Sequence, residues 1–369
     1  MAPTGCYVPG VGDGDARVRR QDFRTCSGGA MSEPLVEVVR AGVVEALHRG
    51  DLAVVDSTGT LRASVGDPVG KITYWRSAAK PFQALPLIYS GAAARWDLSE
   101  RDLALIAGSH NGEKIHVDQA AALLAKIGCE LDDLLCGAHL PLEPHAAAEL
   151  LRSGQEPNAL HNNCSGKHIG MLALARHLGA DRLGYQSPDH PVQAAIMEAI
   201  CGFSGVPNGT IAIGIDGCGV PCFGTSVYHL AWAFARLMDP RAVNRPYAGA
   251  ARDLHAAMTA HPYLVAGRGR LDTDLMQVGV TGLIAKGGAS GVHCVGLSGG
   301  VGLAIKIEDG STGPPPAPGG VAAIAALHQL KILDEAQVTL LSTHARPLLR
   351  NVSGQVVGEV RSRFDLSAN

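Results

Sequence analysis

Segments with the character of β-strands lie near both ends of this sequence, on either side of a long middle part with helical spacing. Three β-rich runs open the patterned sequence, at residues 36–47, 52–55 and 61–65. The turn residues Arg49 and Gly50 divide the first two runs. Two strand-like runs at 292–297 and 301–307 stand a few residues apart and predict an antiparallel pair. We therefore predict an α+β fold, with a mostly antiparallel sheet built from both chain ends and helices packed on it.

The composition indicates a folded chain that acts on small molecules. The chain has 369 residues, of which 46% are hydrophobic, and its 31 Lys and Arg against 34 Asp and Glu give a net charge of -3. This balance gives no electrostatic reason to expect nucleic acid or an anionic membrane as a partner. No apolar run reaches the roughly 18 residues that a membrane-spanning helix needs. We expect a soluble protein with a small-molecule substrate.

The first thirty residues are rich in Gly and Arg and lack the apolar core of a secretory signal. We predict that residues 1–32 form a disordered extension, with Met31 as an alternative start, and that residues 33–365 form a single domain. The nine cysteines, an odd number, fit reduced thiols better than a disulfide framework. The expected location is therefore the cytoplasm.

The strongest local motif is a Ser-x-x-Lys element formed by Ser77 and Lys80, which Pro81 follows. Residues three apart share one face of a helix, so the hydroxyl and the amine are neighbours if a helix opens here. Proline is tolerated only in the first helical turn, which places Ser77 at the helix mouth, where free N–H groups can stabilise an oxyanion. A lysine can activate such a serine when burial or a nearby positive charge lowers its pKa. A single Ser-x-x-Lys match nevertheless occurs often by chance.

Two further elements downstream make chance a weaker explanation of the Ser-x-x-Lys match. Ser109-His110-Asn111 and Lys286-Gly287-Gly288 follow in the order in which serine penicillin-binding proteins and β-lactamases carry Ser-x-Asn and Lys-Thr/Ser-Gly. The match is loose, because Gly287 stands where those enzymes have a hydroxyl residue. In such an arrangement, Lys286 could keep Lys80 neutral by charge repulsion while Ser109 relays a proton. A solvated surface lysine is the plain alternative for Lys286.

A second cluster has the side-chain types that bind zinc. Cys164 and Lys167 are three residues apart at the start of an apolar helical segment, and Asp216 and Cys218 follow a short apolar run. Two thiolates, an amine and a carboxylate suit Zn²⁺ by ligand type. The spacing is not that of a standard zinc motif, and free cysteines are most often small core residues. Residue types alone leave both interpretations open.

At these residues the sequence resembles the rhizobial-type, class 3 L-asparaginases of the asparaginase II family. The resemblance rests on seven segments in order, which lie at residues 76–81, 108–110, 163–172, 188–191, 216–218, 265–270 and 306–310. It implies a serine-β-lactamase-like or glutaminase-like fold and a homodimer. The activity that it implies is hydrolysis of L-asparagine to L-aspartate and ammonia.

The resemblance also implies a role for individual residues. It makes Ser77 the nucleophile with Lys80 as its base, and Ser109 with Lys286 a second pair that assists proton transfer. It makes zinc the cofactor, beside the substrate pocket rather than activating water, with the ligands Cys164, Lys167 and Cys218. Asp216 corresponds to a substrate-binding residue of the family. Arg76 is our own candidate for a partner of the charged ends of the substrate.

Three other functions are compatible with the same residues. A glutaminase of related fold differs by one methylene of substrate, which a pocket discriminates by only about 1–3 kcal/mol. A β-lactam-directed serine hydrolase would carry the same three elements in the same order. A zinc-stabilised binding protein without catalytic activity would need only the second cluster. Ammonia release from L-asparagine, with a nitrocefin test beside it, distinguishes these functions.

Overall fold

A computed structural model of the chain describes residues 31–312 and 317–368. The expected disordered extension over residues 1–32 lies outside these ranges except for Met31 and Ser32. Ser32 is buried and donates a hydrogen bond of 2.8 Å to Asp51, so the described structure begins slightly before the predicted boundary. None of the helices in the described ranges combines the length and apolar composition that crossing a bilayer requires.

The described chain forms a large sheet and a small one, both antiparallel. The strands are β1 (Glu33–Arg40), β2 (Val43–Asp56), β3 (Leu61–Val65), β4 (Ile72–Tyr74), β5 (Ala212–Ile215), β6 (Pro221–Ser226), β7 (Ile284–Gly288), β8 (Val292–Leu297), β9 (Val301–Ile307), β10 (Leu348–Arg350), β11 (Val356–Ser362) and β12 (Ser367–Ala368). The large sheet has the order β10-β11-β1-β2-β9-β8-β7, with β3 on β2 and β12 on β3. N-terminal strands thus pair with C-terminal ones, which confirms the predicted sheet, and β8 and β9 pair antiparallel as expected.

The first hairpin turns at a different place from the one predicted. The chain reverses at Ala41 and Gly42, both with positive φ, and β2 then runs without interruption through Arg49 and Gly50. Two consecutive residues with positive φ match the tight turn that the twist of a hairpin favours. Gly50 has another function, because a side chain there would collide with the backbone oxygen of Lys306 on β9. The glycine permits close strand packing and does not mark a turn.

Helices form most of the chain between β4 and β7, as predicted, and flank the sheet near the C-terminus. They are α1 (Lys80–Tyr89), α2 (Ala92–Arg95), α3 (Glu100–Ile106), α4 (Lys114–Lys126), α5 (Pro144–Arg152), α6 (Ser165–Leu178), α7 (Pro191–Ser204), α8 (Val227–Leu237), α9 (Tyr247–Ala260), α10 (Pro262–Val265), α11 (Leu271–Gln277), α12 (Pro318–Gln329), α13 (Glu335–Leu340) and α14 (Ser342–Ala345). This arrangement is an α+β fold.

Both faces of the large sheet are buried. Helix α8 packs on one face against β2 and β9, and α12 covers the other face. Along β2, Ala53 and Val55 join the helical core, whereas Leu52 and Val54 join the core beneath α12. This alternation follows from the two-residue period of a strand. At one edge of the sheet, β7 contacts α9 and α11 of the helical region.

The small sheet aligns two loop segments that carry charged residues. Its order is β4-β6-β5, with β6 antiparallel to both neighbours. β4 and β5 therefore run in the same direction, and the residues that follow them leave the sheet at the same end. Arg76 comes shortly after β4 and Asp216 directly after β5. The topology thus brings together two residues that are far apart in sequence.

Candidate active site

Ser77 and Lys80 lie at the junction of a short 3₁₀-helix and α1. The 3₁₀-helix spans Arg76–Ala79, and Lys80 begins α1 with Pro81 in its first turn. Side chains at i and i+3 eclipse in a 3₁₀-helix, so both groups project to one side. Ser77 is partly exposed, and among the described residues neither its hydroxyl nor its N–H has a hydrogen-bond partner. The hydroxyl and an N–H at the helix mouth are both available to a substrate.

The backbone immediately before Ser77 is strained. Arg76 has a φ of 50°, in the left-handed region that residues with a side chain rarely adopt. Strain of this kind occurs often where a fold must aim a functional group. The close approach of β7 is a second constraint, because a side chain at Gly288 would come within 2.8 Å of the carbonyl oxygen of Trp75. The glycine at this position lets the Lys286 strand lie directly beside the serine turn.

Lys80 is buried and connects the two loops that carry the other candidate residues. Its ammonium donates to the carbonyl of Gly108 at 2.7 Å and to that of Asn163 at 2.9 Å. Gly108 precedes Ser109, and Asn163 precedes Cys164. Burial lowers the pKa of Lys80, and the charge of Lys167 lowers it further, against the effect of the Cys164 thiolate. An amine with a lowered pKa can accept the proton of a serine hydroxyl.

Lys286 lies on β7 and is fully buried. Its ammonium donates to the carbonyl of Gly287 at 2.9 Å and lies 3.5 Å from the carboxylate of Asp272. Burial lowers the pKa of Lys286 to about 8, with Asp272 opposing the shift and the charge of Lys80 adding to it. Strand β7, which carries Lys286, packs against the 3₁₀-helix that carries Ser77. The convergence of Ser77, Lys80 and Lys286 on one substrate stays a prediction.

Ser109 is buried at 3% exposure, in the loop between α3 and α4. Its N–H donates to the carbonyl of Val265 at 2.7 Å, which fixes the loop, but its hydroxyl has no hydrogen-bond partner within the described part of the chain. A buried hydroxyl without a partner costs stability and is uncommon in folded proteins. Such a group is available to a ligand or to a neighbouring amine. Its role in proton transfer remains a prediction.

Arg76 and Asp216 form an ion pair at the end of the small sheet. The Nε of Arg76 lies 2.9 Å from Oδ1 of Asp216. The same guanidinium donates to the hydroxyl of Ser290 at 3.0 Å. Burial would raise the pKa of Asp216, but Lys167, the N–H of Gly217 and Arg76 together hold it below its usual value. Asp216 is thus an anion that pairs with Arg76 and is influenced by the positive charge of Lys167.

Cys164, Lys167 and Cys218 form a cluster near the Arg76–Asp216 ion pair. All three are buried, and the ammonium of Lys167 lies 2.9 Å from the sulfur of Cys218. A hydrogen bond from Cys218, with the charges of Lys167 and Lys80, holds the pKa of Cys164 well below its usual value. The same hydrogen bond and burial raise the pKa of Cys218. Burial lowers the pKa of Lys167, but the two sulfurs outweigh it and the pKa is raised.

This donor set fits zinc by chemistry. Within the described residues, no three His, Cys, Asp or Glu side chains group together as a metal site would require. Three donors are reached only when Lys167 is counted with the two cysteines. Thiolate and nitrogen donors are ligands that zinc takes, but the amine must first lose its proton. Metal binding here would therefore release protons and would strengthen as the pH rises.

Sequence patterns did not predict the contact of Asp272 with Lys286, or the bonds from Lys80 to the carbonyls of Gly108 and Asn163. No local pattern marks Asp272, although it follows the segment 265–270 on which part of the family resemblance rests. A side chain at Gly287 would approach Oδ1 of Asp272 and Nδ1 of His293, each to 3.3 Å. The glycine that breaks the Lys-Thr/Ser-Gly pattern thus makes room for this carboxylate.

A serine at a helix mouth, followed by a buried lysine three residues later, is an arrangement that can carry out acyl transfer. The family model described as L-asparaginase II matches residues 36–362, which is most of the chain. The protein belongs to the asparaginase II family and is an amidohydrolase. A comparison with curated proteins found none similar enough to count as a match.

Several solved structures are similar to this chain at low identity. Mglu in its native form is 16% identical with a TM-score of 0.44, over 79% of this chain and 67% of that one. A beta-lactamase from Mycobacterium bovis is 15% identical with a TM-score of 0.39, over 77% of this chain and 94% of that one. A beta lactamase from Burkholderia vietnamiensis is 14% identical with a TM-score of 0.37, over 76% and 91%.

Proposed function

We propose that this amidohydrolase hydrolyses the side-chain amide of L-asparagine through a serine–lysine acyl-enzyme mechanism. The observation that supports the proposal is that two buried lysines, Lys80 and Lys286, lie on the two elements that contact the 3₁₀-helix of the partly exposed Ser77. Burying two amines next to each other is costly unless at least one is neutral, and a neutral lysine is the base that a serine nucleophile needs. Family membership supports the asparagine substrate.

In the proposed reaction, the neutral amine of Lys80 takes the proton of Ser77 as its oxygen attacks the amide carbon. The free N–H at the helix mouth stabilises the oxyanion of the tetrahedral intermediate. Lys80 passes this proton through Ser109, whose buried hydroxyl has no partner among the described residues, to the nitrogen, which leaves as ammonia. Water then adds to the aspartyl ester as the neutral Lys80 takes one of its protons, and Lys80 gives that proton to the Ser77 oxygen as aspartate departs.

The charged ends of the substrate need partners, and the Arg76–Asp216 pair offers one positive and one negative side chain. Asp216 would accept the α-ammonium, and Arg76 would donate to the α-carboxylate. Their direct contact of 2.9 Å holds both side chains in place before substrate arrives. Orientation of the substrate by such fixed groups is a large part of the rate enhancement that enzymes achieve.

Zinc held by Cys164, Lys167 and Cys218 would supply a fixed positive charge beside the substrate pocket and stabilise the thiolates. The chain's own residues perform each proposed step without it. Homodimer formation and a cytoplasmic location remain predictions from the sequence.

The central experiment measures ammonia release by the purified full-length protein from L-asparagine and from L-glutamine, with nitrocefin cleavage in parallel. We expect L-asparagine to be the best substrate. Faster release from L-glutamine would assign the protein as a glutaminase, and rapid nitrocefin cleavage would assign it to β-lactam chemistry. No release from either amide would contradict the proposal.

Replacing Asp216 by Asn is expected to raise KM for L-asparagine about 10- to 100-fold, with a smaller effect on kcat. A charge-assisted hydrogen bond is worth roughly 1.5–3 kcal/mol, and the bond to the substrate ammonium exists in both the ground state and the transition state. Steady-state kinetics measure both constants. Asp118→Asn, on the exposed face of α4 where Asp118 pairs with Lys114, is the matched control and should change neither. An unchanged KM in Asp216→Asn contradicts the assignment.

Protein purified without chelator is expected to contain about one zinc per chain, and Cys164→Ser or Cys218→Ser should lose most of it. Zinc should also raise the Tm of the wild-type protein, because a ligand that binds only the folded state stabilises it. Elemental analysis and thermal unfolding make these measurements. Cys136→Ser is the control: Cys136 is buried nearby with its sulfur 3.6 Å from the carbonyl of Ala159, and it should retain the metal. Equal metal content in the wild-type protein and all three variants would exclude this ligand set.

A further inference from the structure

Asp272 is a buried carboxylate that contacts the second lysine and has no part in the chemistry proposed above. It lies in the first turn of α11 and is 3% exposed. Its two oxygens accept the N–H of Gly287 at 2.9 and 3.0 Å, and Oδ2 lies 3.5 Å from the ammonium of Lys286. The Asp272 side chain thus holds both the backbone of Gly287, near the end of β7, and the amine of Lys286, the residue before it.

The other groups that face Lys286 cannot replace this negative charge. Lys80 on α1 and Arg270 in the loop before α11 are cations, and both act against a proton on Lys286. Cys294 on β8 is buried, and burial raises its pKa well above the usual value, so it is a neutral thiol. His293 on β8 lies 3.8 Å from Oδ1 of Asp272, and burial lowers its pKa. Without Asp272, Lys286 would face only positive and neutral groups.

We propose that Asp272 is a positioning residue that keeps the amine of Lys286 protonated and fixed at the end of β7. This inference rests on the proposed function, because it assigns a charge state to the second lysine of that site. In wild type, kcat/KM then falls at high pH as Lys286 loses its proton.

The test compares Asp272→Asn with wild type by two measurements. Removing the carboxylate lowers the pKa of Lys286, so the basic limb of the kcat/KM profile should move to lower pH by about one unit or more. An opposite charge in contact is worth about 1–3 pKa units. The second measurement is an NMR titration of the lysine amines in isotope-labelled protein, assigned by the Lys286→Arg variant. The Lys286 signal should move with the basic limb, and Asp272→Glu should restore both.

Asp102→Asn is the matched control. Asp102 is also a buried aspartate, 1% exposed, and lies 2.7 Å from the ammonium of Lys126, but its bonds cap α3. Its loss should lower the Tm without moving the basic limb or the Lys286 signal. A purely structural role for Asp272 predicts the same pattern for Asp272→Asn, and that result would overturn the proposal.

The NMR titration separates the two hypotheses, since it needs no substrate. A shifted Lys286 signal in a protein that releases no ammonia means that the proposed function fails and the role of Asp272 stands. If the protein releases ammonia but Asp272→Asn leaves the Lys286 signal unmoved, the proposed function stands and the role of Asp272 fails. If Asp272→Asn does not fold, the wild-type titration decides, because a Lys286 amine already neutral at neutral pH would overturn the proposal.

Discussion

Replacing Ser77 by Ala is expected to reduce ammonia release from L-asparagine by about 1,000-fold or more, with the fold intact. The hydroxyl forms the bond to the substrate in the proposed mechanism, and removal of such a nucleophile typically eliminates most of the catalysis. The fold should survive, because the Ser77 hydroxyl has no hydrogen-bond partner among the described residues. Steady-state ammonia release and the Tm together measure both parts of this result.

Ser298→Ala is the control for this variant. Ser298 is exposed in the turn between β8 and β9, where its hydroxyl donates to the carbonyl of Thr281 at 3.0 Å. It should keep wild-type turnover. Near-normal turnover in Ser77→Ala would show that another group is the nucleophile, even if the protein hydrolyses asparagine.

Substituting arginine for each buried lysine in turn should give opposite results. Lys80→Arg is expected to lose about 100- to 10,000-fold in kcat, the range of general-base catalysis, because a guanidinium keeps its proton at every accessible pH. Lys286→Arg preserves the positive charge beside Asp272, which is what the role proposed for Asp272 requires of that position. It should therefore keep a substantial part of the activity. The pair of variants separates a lysine that must be neutral from one that must be charged.

Both substitutions enlarge a side chain in the interior, so the Tm of each variant is the necessary control. If the two proteins unfold at similar temperatures, the difference in kcat reflects chemistry rather than packing. Equal losses of activity in equally stable variants would contradict the division of roles between Lys80 and Lys286.

The local features of the site follow directly from neighbouring residues. Pro81 fixes where α1 can begin, and this alone places Ser77 at the helix mouth. The spacing of three residues puts Lys80 on the same side. Proline geometry and helical periodicity depend on only a few consecutive residues, so these features can be predicted without knowing the rest of the fold.

The first turn of the sheet shows where local signals mislead. Arg49-Gly50 has the composition of a turn, yet Gly50 lies within β2 because a neighbouring strand approaches too closely for a side chain. The actual turn uses Ala41, whose φ of 46° is unusual for a residue with a side chain. A glycine looks the same in sequence whether it serves a turn or a close approach, and only the neighbouring strand distinguishes the two.

The sequence by itself determined the strand-rich ends, the helical middle and the start of α1 beside Pro81, because patterning and helix starts are local. Only the tertiary structure decided that Asp272 contacts Lys286, that Arg76 pairs with Asp216, and that the Ser109 hydroxyl has no partner in the interior. These contacts join residues from separate elements, and their effects on charge come from burial. Burial is a property of the whole packed chain, and no local segment of the sequence contains it.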